Sequence, residues 1–144
     1  LEGARVGPGL GAHCVGSTAI AVACSMSKCA CGVLVREGAS ASMQGCACDD
    51  STYGSGLCVV EAGSIASASG CSFSGSTLNN MFVSDGAYAE LQNCRCEGSK
   101  GRYGLAVVSH GSSGHCTACS FCRNFAGKVW VSEGAVAELC DCGC

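Results

Sequence analysis

Proline occurs once in 144 residues, charged side chains make up 13% of the chain and aromatic ones 6%. No apolar stretch is long enough to cross a bilayer, so membrane insertion is not expected. With a net charge of −3 and no basic patch interleaved with aromatics, nucleic acid is not an expected partner either. A chain that is 48% hydrophobic is too apolar to stay disordered. Twenty-two glycines without a Gly-X-Y period exclude collagen and point to many tight turns, which leaves little room for helix. There is no initiator Met and no signal peptide, which reads as an excised or mature segment. Against these shortages stand 16 cysteines, a number that favours an extracellular or cell-surface setting.

What the chain does have is an internal repeat. Residues 46–93 align with 94–141 without a gap: Cys46-Ala47-Cys48 matches Cys94-Arg95-Cys96 and again Cys142-Gly143-Cys144, and Cys71-Ser72-Phe73 matches Cys119-Ser120-Phe121. A 48-residue period of this kind dictates architecture. It predicts one solenoid segment of three units, 1–48, 49–96 and 97–144, within a longer array. The stretch from Glu2-Gly3 to Gly9-Leu10 joins the register with one deletion, by analogy with Glu97-Gly98 to Gly104-Leu105. Capping segments are not visible at either terminus.

Each unit divides into two rungs marked by Gly16, Gly38, Gly63, Gly86, Gly111 and Gly134. The third residue after that glycine is Ala19, Ala41, Ala66, Ala89, Gly114 and Ala137; the fifth is Ala21, Met43, Ala68, Leu91, Cys116 and Leu139. The eighth is always cysteine: Cys24, Cys46, Cys71, Cys94, Cys119 and Cys142. The tenth alternates between Met26, Phe73 and Phe121 and Cys48, Cys96 and Cys144. Steps of two signify strands, and a helical period near 3.6 is absent. Three short strands per rung describe an all-β, right-handed parallel β-helix, a three-sided solenoid of six rungs of about 22–25 residues.

The recurring Val-x-x-Gly-Ala-x-Ala-x-Leu followed by Cys-x-Cys or Cys-x-Phe resembles the right-handed β-helix repeats of pectin-lyase-like proteins over the whole chain. That resemblance implies a fold more than a function, because the scaffold hosts polysaccharide lyases and hydrolases, tailspikes, adhesins and structural repeats. Polygalacturonase-like members carry Asn-Thr-Asp, Asp-Asp, a Ser-or-Gly-His-Gly element and Arg-x-Lys. Here only Asp49-Asp50 and Ser109-His110-Gly111 are found, on the second and fifth rungs, about 10 Å or more apart along the stack. Inverting hydrolysis needs two carboxyls roughly 6.5–9.5 Å apart. Calcium sites need several convergent oxygens, and Asp85 and Asp141 are isolated. Neither an enzyme nor a cofactor is expected.

The cysteine row at the eighth position reads as a buried ladder of small hydrophobes. Zinc through Cys46/Cys48, Cys94/Cys96 and Cys142/Cys144 is not expected, since tetrahedral sites use Cys-x2-4-Cys knuckles. Cys14, Cys29, Cys31, Cys58, Cys116, Cys122 and Cys140 lie near loops or corners and are the better candidates for disulfides, with the connectivity open. The outward row four after the glycine, Ile20, Ser42, Ser67, Glu90, His115 and Glu138, is too irregular for ice binding. His110 and His115 read as solvated surface residues.

Three before each glycine stand Val35, Val60, Val83, Val108 and Val131, with His13 filling the first rung, and this row is expected to face inward. The residue four before it would then face out, yet it reads Ala12, Leu34, Val59, Phe82, Val107 and Trp130, all apolar. Reversed parity would expose the valine row instead. Ile65, Tyr88 and Val136 on the adjoining strand would widen the stripe. Monomers seldom expose patches this large. A lateral contact with another copy or a neighbouring solenoid domain is expected, the alternative being cover by a loop or a segment outside the chain. These features predict a structural extracellular solenoid that assembles by rung stacking and lateral apolar contact, in a fibril or surface protein. A carbohydrate-binding or carbohydrate-processing β-helix is the other reading, with Tyr53, Tyr88, Tyr103 and Trp130 as sugar platforms, Asp49 and Asp50 as acids, and glycans as partners.

Overall fold

A glycine corner every 22 to 25 residues, with alternating side chains between corners, gives each strand its nearest neighbours one turn of the chain away. The computed structural model describes residues 7–144, and its regular elements are strands alone among those residues. The first sheet stacks β1 (Pro8–Ala12), β4 (Cys31–Val35), β7 (Leu57–Val60), β10 (Met81–Ser84), β13 (Tyr103–Val107) and β15 (Gly127–Val131) in that order. The second stacks β2 (Thr18–Val22), β5 (Ser40–Gln44), β8 (Ile65–Ser69), β11 (Tyr88–Gln92), β14 (Ser113–Thr117) and β16 (Val136–Cys140). The third stacks β3 (Ser25–Ser27), β6 (Ala47–Asp49), β9 (Ser72–Ser74) and β12 (Arg95–Glu97), and single bridges at Ser120 and Gly143 carry it through the last two rungs. Every pairing is parallel. The result is a three-sided right-handed solenoid of six rungs, as the repeat predicts. The match of Glu2-Gly3 to Glu97-Gly98 lies outside the described residues.

In the second sheet the expected inward rows hold: Ala19, Ala41, Ala66, Ala89, Gly114 and Ala137 stack in register, as do Ala21, Met43, Ala68, Leu91, Cys116 and Leu139. Small residues in the first of these rows leave room for the larger side chains of the opposite wall. Met26, Cys48, Phe73, Cys96 and Phe121 come in from the third sheet, and all five are buried. The first sheet adds Val33, Leu57, Met81 and Leu105, so one continuous core runs along the axis. Burying each such side chain is worth about 1.5–3 kcal/mol.

The first sheet also corrects the sequence reading. Its inward row is Val35, Val59, Val83 and Val107, each fully buried, followed by Val131. Val59 and Val107, expected on the outside, are therefore core residues, while Val60 and Val108 are half-buried corner residues. In the first rung Ala12 occupies the inward position, and His13 is exposed, accepting a 2.9 Å bond from Arg36 Nε at its Nδ1. Corner length explains the difference. Two residues separate Val35 from Gly38 but three separate Val59 from Gly63, and the same alternation follows at Gly86 and Gly111. Counting back from the glycine therefore slips by one in every second rung, and a slip of one turns a strand over.

The corner itself demands its glycines. Gly38, Gly63, Gly86, Gly111 and Gly134 all sit at φ between +72° and +82°, where a β-carbon strains the backbone. At the opposite corner, a β-carbon on Gly32 would run into the Gly56 carbonyl of the next rung.

Candidate functional site

Correct alternation places Leu34, Cys58, Phe82, Ala106 and Trp130 in one register on the outer face of the first sheet. Of the expected stripe Leu34, Phe82 and Trp130 remain, and Cys58 and Ala106 take the places of Val59 and Val107. Leu34, Cys58 and Phe82 are half-buried, Ala106 is buried, and Trp130 is 46% exposed. The row is therefore apolar along five rungs, with Phe82 dividing a shallow groove in two. One half, of about 380 Å³, is bounded by Cys31, Leu34, Cys58 and Leu78; the other, of about 530 Å³, by Tyr103, Ala106, Trp130 and Glu133. Asn79 and Arg102 line both halves. Tyr103 stacks on Trp130 with ring centroids 5.4 Å apart and planes 21° from parallel.

Ile65, Tyr88 and Val136 do not widen this stripe. They belong to the second sheet, in a row with Thr18, Ser40 and Ser113. Between the two sheets runs the corner carrying Glu37, Glu61, Asp85, Ser109 and Glu133, all at positive φ. The exposed carboxylates Glu37, Glu61, Asp85 and Glu133 make it a polar ridge. The sugar-platform residues are likewise separated: Tyr103 and Trp130 lie on the first sheet, Tyr88 on the second, and Tyr53 in the exposed loop after the third. Asp49 accepts a 2.5 Å bond from Ser74 Oγ, Asp50 pairs with Lys100 Nζ at 2.8 Å, and His110 stands at the glycine corner, on another edge of the prism.

The eighth-position cysteines form a second arrangement, at the corner between second and third sheets. Flanking pairings put Cys24, Cys46, Cys71, Cys94, Cys119 and Cys142 directly above one another. Cys46, Cys71, Cys94 and Cys119 are buried, Cys142 is half-buried and Cys24 is exposed. All six thiols make the same contact, donating to the carbonyl two residues back: Val22 at 3.3 Å, Gln44 at 3.5, Ser69 at 3.4, Gln92 at 3.4, Thr117 at 3.3 and Cys140 at 3.3. One rotamer is thus repeated six times, a regularity invisible in the sequence. Within the column Cys71 is lowered by hydrogen bonding to Cys94, and Cys119 by hydrogen bonding to Cys116 and Cys94, while the same contacts push Cys94 up.

The six cysteines of the column are free thiols. Off the column, Cys31 and Cys58 share a hydrogen bond that raises the first and lowers the second, and Cys144 does the same to Cys122. Leu34 faces Cys58, and Cys31 lies three residues earlier on the same strand. Cys122 and Cys144 flank the bridged pair Ser120 and Gly143 at an offset of one residue, within disulfide reach.

Sequence reasoning missed Cys58, Ala106 and Arg102. A signal existed: residues 34, 58, 82, 106 and 130 are each 24 apart, half the 48-residue unit, whereas the glycines alternate between 25 and 23. The buried amides were missed too. Asn80 Nδ2 donates to Asn124 Oδ1 at 2.9 Å and to the Glu97 carbonyl at 2.8 Å, and Asn124 Nδ2 donates to the Cys96 carbonyl at 2.9 Å, tying two of the loops that lead into the first sheet to the backbone of β12.

Among known families, the profile described as a right-handed beta helix region matches residues 10–142. No curated protein and no solved structure matches the chain. The chain belongs to the right-handed β-helix family.

Proposed function

We propose that this right-handed β-helix is a non-catalytic, structural solenoid of the cell exterior that associates with further copies or neighbouring solenoid domains through the outer face of its first sheet. The observation that carries the reading is the unbroken apolar row Leu34, Cys58, Phe82, Ala106 and Trp130, whereas the central outward row of the second sheet mixes Ile20 with Ser42, Ser67, Glu90, His115 and Glu138. Polar groups are the rule on a sheet face that stays in water. In an oxidising exterior, Cys122 and Cys144 are a pair placed to form a disulfide.

The test is sedimentation velocity across a wide concentration range, comparing the unaltered chain with Phe82→Asp and Trp130→Asp. Association that both substitutions abolish supports lateral contact; a monomer at every concentration overturns it.

A second reading rests on the Tyr103–Trp130 stack beside Arg102 and Glu133, a combination of flat apolar surface and charged groups suited to a saccharide. Glycan-array binding that Trp130→Ala abolishes, in a chain that stays monomeric, would favour it over assembly.

A further inference from the structure

We infer that the six-cysteine column is a binding site for soft monovalent d10 metal ions of the copper(I) class, each held by two sulfurs of neighbouring rungs. The geometry points there in three steps. First, the sulfurs repeat with the rungs and lie close together: the Cys46 and Cys119 amides each meet the sulfur of the next rung at 3.4 Å. Two metal–sulfur bonds of about 2.3 Å reach between such neighbours in a bent S–M–S bridge, or in a straight one of about 4.6 Å that matches the rung spacing of about 4.8 Å, so an ion enters with little movement of the chain. A disulfide would instead have to draw two like-oriented sulfurs together to about 2 Å, breaking the common rotamer.

Second, the surroundings favour a cation. The thiols of Cys46, Cys94, Cys119 and Cys142 each meet a second carbonyl oxygen from an earlier rung, of Ala21 at 3.4 Å, Ala68 at 3.4, Leu91 at 3.6 and Cys116 at 3.3. The column is thus lined by the negative ends of peptide dipoles, with no side-chain cation in its bonding pattern. Soft sulfur donors select copper(I) over hard cations.

Third, the coordination number follows from the layout. No group of three or more ligating side chains among the described residues could close around one ion, which leaves tetrahedral zinc without a site. Two-coordinate ions need only neighbouring pairs. One ion enters as one proton leaves, M⁺ + 2 RSH → RS–M–S(H)R + H⁺, so the buried site stays neutral while the second thiol keeps its carbonyl contact. Six thiols taken pairwise hold three ions. Cys24, exposed at one end, is the point of entry.

Adjacency rather than thiol number is the discriminating variable. The fully reduced chain is titrated with silver(I) as the probe and its stoichiometry read by native mass spectrometry. Cys24→Ser with Cys46→Ser leaves four contiguous thiols and is expected to lose one ion relative to the unaltered chain. Cys46→Ser with Cys94→Ser removes the same number but leaves Cys119–Cys142 as the one adjacent pair, and is expected to lose two. Equal losses overturn the inference, as does a thiol count in denaturant, taken on the purified chain before reduction, that reveals disulfides within the column. X-ray absorption on the unaltered chain gives an answer independent of variant folding: two sulfur neighbours per ion are expected, and a shell of nitrogen or oxygen, or of three sulfurs, overturns the assignment.

Discussion

The first and second sheets wall the same interior but differ in what they show to water. In the second, alternation is clean: Ala66 and Ala68 are buried between exposed Ile65, Ser67 and Ser69. In the first, Val83 is fully buried while its neighbour Phe82 is also apolar and half covered. Inward rows are demanded by the core of any solenoid, whereas an outward row answers to what lies outside it. An apolar outward row is therefore the more informative about function.

The comparison can be broken hardest from within. Val83→Asp places a carboxylate in the core of the first sheet and is expected to abolish folding, at a cost of more than about 4 kcal/mol, whereas Phe82→Asp one residue away leaves a folded chain; circular dichroism with urea unfolding checks both. Next, Leu91→Ala in the second sheet should cost about 2–5 kcal/mol, and Leu139→Ala in the same row of the last rung well under half as much, because its side chain is 47% exposed. Gly86→Ala, at the corner between the sheets with φ +82°, should cost about 1–2 kcal/mol in the same assay.

Smaller effects sharpen the outer faces. Phe82→Ser and Glu90→Ser should each change stability by less than about 1 kcal/mol, but only the former should weaken self-association by sedimentation. The third sheet supplies the smallest effect. The Ser120 hydroxyl donates to Glu97 at 2.8 Å and Arg123 pairs with it at 3.0 Å, so its carboxyl is held below the usual range despite partial burial. A carboxylate so depressed stabilises the fold above its unfolded value, near pH 4.3, and loses that contribution as pH falls through the folded value. Glu97→Gln should therefore flatten the acid limb of the urea midpoint plotted against pH.

Much of this was legible beforehand. The rows after each glycine hold because Gly86 and its equivalents lead into their strands with a constant offset, and the inward positions of Ala89, Leu91 and Cys94 follow. The rows before each glycine were misread because the corner ahead of it alternates in length, as between Val35 and Val59. The side-by-side placement of Ile65 and Leu34 failed for a related reason: spacing along a chain says which residues share a strand, not how sharply two strands turn from one another. No local pattern brings Tyr103 onto Trp130, 27 positions later, because that contact depends on which rung lies over which.

By itself the sequence determined the number of rungs, the corner glycines and the cores of two sheets, since these follow from local alternation and a short period. Tertiary structure decided which face of the first sheet meets water, because register there is set by hydrogen bonds between rungs. It also decided that six thiols share one rotamer, because each must find the carbonyl two residues back within a corner repeated without change.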